Sequence, residues 1–149
     1  MAQNYLYRKN IHLDSSGTEI LIPISFSTTV HGKLPLVFYT NTELVQVKVD
    51  SSQLVIFHVY NYSKENIDFF IGYQIFPYAL TSYIIKLQCF CYEHILILKD
   101  SNLVLPVLFF IDQEILNHFS EFNDNQFSCL NFYYHIYRAD DLFDSYLGK

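Results

Sequence analysis

Leu44-Val45-Gln46-Val47-Lys48-Val49-Asp50-Ser51-Ser52-Gln53-Leu54-Val55-Ile56-Phe57-His58-Val59-Tyr60-Asn61-Tyr62 reads as strand, turn, strand, and this reading decides the fold. In the first half Val45, Val47 and Val49 recur at every second residue, which places them on one face of an extended chain. Asp50-Ser51-Ser52 supplies turn chemistry. The second half is apolar almost without a break, the pattern of a central strand.

The same alternation extends both ways. Glu19 to Thr28 is β-rich, with Ile22, Ile24 and Phe26 alternating against Pro23, Ser25 and Ser27. Pro23 cannot donate to a ladder, so it marks an edge or a strand start. His31-Gly32-Lys33 reads as a turn, and Val37-Phe38-Tyr39 as a short strand before the quoted stretch. After the break Ser63-Lys64-Glu65-Asn66, the β pattern resumes from Ile67 to Phe76 and closes at Pro77. Ile84 to Tyr92 and Leu103 to Ile111 follow, separated by the polar Lys99-Asp100-Ser101-Asn102. Asp112 to Phe119 is the one short helical candidate, Glu121 to Gln126 is a polar loop, and Phe127 to Tyr137 is a last strand. Seven or so short strands at near-regular spacing predict an all-β, antiparallel β-sandwich.

Size and composition narrow the class. A chain of 149 residues is one domain with room for a sizeable core. Hydrophobic residues make up 51% of it and charged residues only 16%, too apolar for a disordered chain. The net charge of −6 and the absence of a clustered basic stripe exclude nucleic acid as a partner. No run reaches the 18 or so apolar residues of a membrane-spanning helix, so the expectation is no transmembrane anchor of its own. The first residues lack the apolar core of a secretory signal. Three cysteines, an odd number, exclude a full disulfide framework.

Two of those cysteines stand in Cys89-Phe90-Cys91, read as part of the strand Ile84 to Tyr92. Residues two apart on a strand share a face, so both thiols could serve one soft metal ion such as copper(I) or zinc. On one strand they are poorly placed to bridge each other. The bland reading is two small thiols packed in a core. Cys129 reads as an isolated thiol on a late strand. His94, an odd number of residues after Cys91, falls on the opposite face of an extended strand; His58, in an apolar run, reads as a core residue. No nucleophile elbow, phosphate-cradling loop or His-x-x-x-His pair is present, and with four glycines the expectation is no catalysis.

From about Leu34 to Ala139 the chain resembles the CtaG copper-delivery family of cytochrome c oxidase assembly factors. The family motif K-[IL]-Q-C-F-C-[FY] is matched by Lys86-Leu87-Gln88-Cys89-Phe90-Cys91-Tyr92, and Tyr73, Pro77 and Tyr83 fall at corresponding places upstream. Pro106-Val107-Leu108-Phe109-Phe110-Ile111-Asp112-Gln113-Glu114-Ile115 matches a second family segment, P-V-x-F-F-x-D-P-E-[IF]. The resemblance implies an immunoglobulin-like sandwich that binds copper(I) through Cys89 and Cys91, with Lys86 and Gln88 flanking them. It implies delivery of that copper to the copper-B site of the oxidase.

The implied partners are the oxidase catalytic subunit or other respiratory-complex subunits, and a second copy in a homodimer. The implied location is mitochondrial, associated with the inner membrane on the intermembrane-space side through partners. The chain departs from the family pattern in having no cysteine before Cys89, Val104-Leu105 for Asp-Met, and Gln113 for Pro. The expected organisation is an N-terminal extension with the first strand or strands over 1–33, the CtaG-like sandwich over 34–139, and an acidic tail over 140–149. A second reading, a structural accessory subunit held permanently in a respiratory complex without copper transfer, stands beside the carrier.

Overall fold

The structure, a computed structural model, describes residues 20–90, 93–118 and 129–140. Nine strands are described: β1 Ile22–Val30, β2 Leu36–Thr40, β3 Leu44–Val47, β4 Gln53–Asn61, β5 Ile67–Phe76, β6 Ile84–Gln88, β7 His94–Ile97, β8 Asn102–Ile111 and β9 Leu130–Arg138. They form a five-stranded sheet in the order β3-β1-β9-β5-β7 and a four-stranded sheet in the order β2-β4-β8-β6. The fold is the all-β sandwich that the alternation predicts.

Each strand sends every second side chain into the space between the sheets. Phe57, Val59, Val107 and Phe109 from the four-stranded sheet meet Ile24, Phe69, Phe132 and Ile136 from the other, all buried. The aromatic rings interlock: Phe26 meets Phe132 at 5.2 Å in a T-shaped contact, and Phe109 meets Phe132 at 5.3 Å. Fully burying a side chain of this size contributes about 1.5–3 kcal/mol.

Turns fall where the sequence places them. Gly32, between β1 and β2, has φ +71°, a conformation only glycine adopts without strain. Asp50 (φ 59°) and Asp100 (φ 50°) occupy the same left-handed region in the β3–β4 and β7–β8 turns. Short polar side chains such as Asp tolerate it better than most.

Of the two places the sequence allows Pro23, an edge or a strand start, the structure shows the second: β1 lies between β3 and β9. Pro23 is accommodated because pairing with β9 begins only at Ile24, so the proline sits at the strand start. The β1–β9 pair is parallel, unlike every other pair described. β7 is an additional strand, four residues long, that the sequence reading passed over. The helical candidate is a 3-10 helix, Gln113–His118, and a second 3-10 helix spans Tyr78–Tyr83 after a cis Phe76–Pro77 bond.

Candidate metal centre

β6 and β7 are the outer strands of different sheets, so the chain between them crosses from one sheet to the other. Cys89 and Phe90 lie on that crossing. β6 pairs with β8 from Ile84↔Ile111 to Lys86↔Phe109, then slips register before Gln88↔Leu108 and ends. The expectation of a strand running through Tyr92 is therefore corrected. The slip lets the chain leave the ladder, and Cys89 stands just beyond the last paired residue. The shared-face argument for the two thiols does not carry to this geometry, and Cys91 itself lies outside the described residues, as does the question of its bridging to Cys89.

Cys89 and Phe90 are half-buried and pack against the core. They close a cavity of about 10 Å³ with Phe38, Phe57, Ile71 and Tyr134, no larger than a single water needs. The sulfur of Cys89 is engaged in a disulfide. Cys129, just before β9, is a free, half-buried thiol whose Sγ lies 3.5 Å from Asn131 Oδ1. That agrees with its reading as an isolated thiol.

Lys86, on the same strand, points inward, as its two-residue offset from buried Ile84 dictates. Its ammonium lies over the ring of Tyr73 on the facing sheet. Nζ is buried and has no hydrogen-bond partner among the described residues, and desolvation lowers its pKa to about 7. Tyr134, beside Cys89 in the cavity wall, has a buried hydroxyl with no hydrogen-bond partner among the described residues, and burial raises its pKa. Sequence reading treated Lys86 only as a flank of the motif. The signal available was its even spacing from Ile84.

The other candidates are not brought to Cys89. His94 opens β7 on the opposite sheet, stacked on Phe70 at 5.4 Å with Nε2 3.1 Å from an Asp68 carboxylate oxygen. His58 is not in the core: Phe57 and Val59 take the inward positions, and its ring stacks outward on Tyr39 at 4.9 Å. Asp112 and Asp50 serve local structure. Asp112 Oδ1 accepts from the Glu114 amide at 2.9 Å, and Asp50 Oδ1 from the Gln113 amide at 3.2 Å. Tyr83 Oη and His118 Nε2, 2.7 Å apart, tie the two 3-10 helices together. Among the described residues no three His, Cys, Asp or Glu side chains converge as a metal site.

An all-β sandwich with Cys89 on the chain that passes from one sheet to the other is the class these features define. Residues 3–138 match the family model described as cytochrome c oxidase assembly protein CtaG/Cox11, and the chain belongs to that family. Cytochrome c oxidase assembly protein CtaG of Ehrlichia ruminantium is 29% identical over 96 residues, covering 64% of this chain and 63% of that protein. Mitochondrial cytochrome c oxidase assembly protein COX11 of Saccharomyces cerevisiae is 34% identical over 97 residues, 65% of this chain and 32% of the yeast protein. The ctaG protein of Reclinomonas americana is 28% identical over 97 residues, 65% of this chain and 53% of its own. The chain thus matches between about a third and just under two thirds of the length of these relatives.

Proposed function

We propose that this chain is a non-catalytic cytochrome c oxidase assembly factor that carries copper(I) on Cys89 and Cys91 and delivers it to the copper-B site. The observation that carries the reading is the position of Cys89: past the end of β6, half-exposed, on the crossing at the edge of a rigid sandwich. Thiolates select copper(I) over hard cations. Two of them leave coordination positions open, so an incoming ligand can take the ion without its release to water. A disulfide offers no thiolate, so copper(I) is held only by a chain whose Cys89 is the free thiolate.

The names of the relatives support the assembly role. The relatives in yeast mitochondria and Reclinomonas americana support a mitochondrial, respiratory-membrane association, which we place on the intermembrane-space side. Among the described residues no helix is long and apolar enough to cross a membrane. The accessory-subunit reading draws on one observation, the packing of half-buried Cys89 against the core.

The test is replacement in a cell whose own assembly factor is deleted. This chain restores an oxidase with a filled copper-B site, and Cys89→Ser does not. Restoration by Cys89→Ser equal to that by the parent chain overturns the carrier reading in favour of the accessory one.

A further inference from the structure

His31 stands directly after β1, ahead of the Gly32 turn, and His135 stands on β9. Both face outward from the five-stranded sheet. Tyr134 and Ile136 take the buried positions on either side of His135, and exposed His31 follows exposed Thr29 by two residues. The parallel ladder sets Thr29 opposite His135 and Val30 opposite Ile136, and the His31 amide donates to the Ile136 carbonyl at 2.9 Å. Two imidazoles 104 positions apart in sequence are thereby brought together, His31 Nε2 lying 2.9 Å from His135 Nδ1. Tyr137, on the same face as His135, stacks on the His31 ring at 4.4 Å with the planes 3° apart, which fixes that ring. On its other flank His135 stands opposite Gly72, which has no side chain to crowd it.

We infer that His31 and His135 together take up a divalent transition-metal ion, copper(II) ahead of zinc, at a site that uses neither Cys89 nor Cys91. Neutral imidazole suits copper, nickel and zinc, and copper(II) heads the affinity order of the divalent ions. Ring nitrogens at about 2.0–2.1 Å from one ion stand about 2.9 Å apart in neighbouring square-planar positions, and about 3.3 Å apart in tetrahedral ones. The pair is spaced as the first, the geometry of copper(II). Without metal the same contact is a hydrogen bond, one ring donating and the other accepting. To bind, the donating ring takes its proton on its other nitrogen, and both rings turn their lone pairs from each other toward the ion. Both imidazoles stay neutral, so no net proton is released.

Desolvation, then His31, lowers the His135 pKa, which keeps that ring neutral and able to ligate at pH 7. The net charge of −6 favours approach of a cation. Among the described residues no third His, Cys, Asp or Glu joins the two rings. Two imidazoles alone make a weak, exchangeable site, occupied at equilibrium and emptied by desalting. An ion there ties the end of β1 to β9, and because the unfolded chain lacks this arrangement, binding stabilises the fold.

The test is equilibrium titration with copper(II) at about pH 7.5, on the full chain carrying Cys89→Ser, Cys91→Ser and Cys129→Ser, so that no thiol competes. Electron paramagnetic resonance shows two coordinated ring nitrogens in the tightest site, and zinc binds there at least about ten-fold more weakly. His31→Gln or His135→Gln each weakens copper(II) binding by at least about ten-fold. The double variant loses little more than either single one, since one imidazole alone no longer chelates. His58→Gln and His94→Gln leave binding unchanged. Saturating copper(II) raises the melting temperature of the chain by about 5 °C and does not raise that of His31→Gln, whose own melting verifies that it is folded. Binding undiminished in His31→Gln, equal loss in His94→Gln, or a signal with fewer than two ring nitrogens overturns the proposal.

Discussion

The ammonium of Lys86 on β6 lies over the ring of Tyr73 on β5, so one charged side chain spans the gap between the two sheets at the edge where the cysteine motif crosses. An inward-pointing charge also guards an outer strand against pairing with another chain. Desolvation lowers the Lys86 pKa from 10.5 to about 7.

The sign of the pH dependence follows. Below about pH 7 Lys86 is charged in both the folded and the unfolded chain, and the folded state bears the whole desolvation cost. Between 7 and 10.5 the unfolded chain binds the proton more tightly, so this group's contribution to stability improves as pH rises. Lys86→Met therefore raises the melting temperature by about 3 °C at about pH 6, and by less at about pH 9. An equal change at both pH values, or a loss at the lower one, contradicts this.

Asn61, at the end of β4, is the one polar residue fully buried among the described residues. Its Nδ2 donates to the Glu65 carbonyl at 2.8 Å and the Leu98 carbonyl at 3.2 Å, and its Oδ1 accepts from the Ser63 amide at 3.0 Å. It joins the β4–β5 turn to the end of β7. Asn61→Leu removes these partners at once and costs about 2–4 kcal/mol in urea unfolding, since the abandoned backbone groups lose water as well. A cost under about 1 kcal/mol shows that solvent replaces them.

His31 and His135 share a hydrogen bond at 2.9 Å between Nε2 and Nδ1. Opposite His135 across the ladders stand Thr29 on β1 and Gly72 on β5, neither titratable, and the His31 ring is stacked on Tyr137 at 4.4 Å. Desolvation, then His31, lowers the His135 pKa below 6.5. In acid the unfolded chain takes up that proton first, so stability falls as pH drops below 6.5. His135→Gln flattens this part of the stability–pH curve, read by urea unfolding at about pH 7.5 and about pH 5. A slope unchanged in the variant assigns the loss to other groups.

Much of the fold was legible because period-two alternation is a local property. β5 runs from Ile67 to Phe76 as the pattern indicates, and the turns at Asp50 and Asp100 stand where polar clusters interrupt it. Less legible was whatever depends on distant partners. The parallel pairing of β1 with β9 joins residues about a hundred positions apart. The slip after Lys86 depends on how β8 receives β6, so a strand-like motif leaves its strand without any local cue. His58 stood in an apolar run that looks buried on both sides, and only the topology shows which side is open. The family resemblance located Cys89. The structure placed it on a crossing between sheets and put a desolvated lysine on the strand leading to it.

Copper binding by the chain, before and after reduction, tests the account most directly. After anaerobic reduction, loading with copper(I) and desalting, the chain retains about one copper per Cys89–Cys91 pair, and the unreduced chain retains none. Cys89→Ser or Cys91→Ser reduces the metal to background while Cys129→Ser leaves it unchanged. A reduced chain that binds no copper, or one whose copper survives Cys89→Ser, contradicts the account.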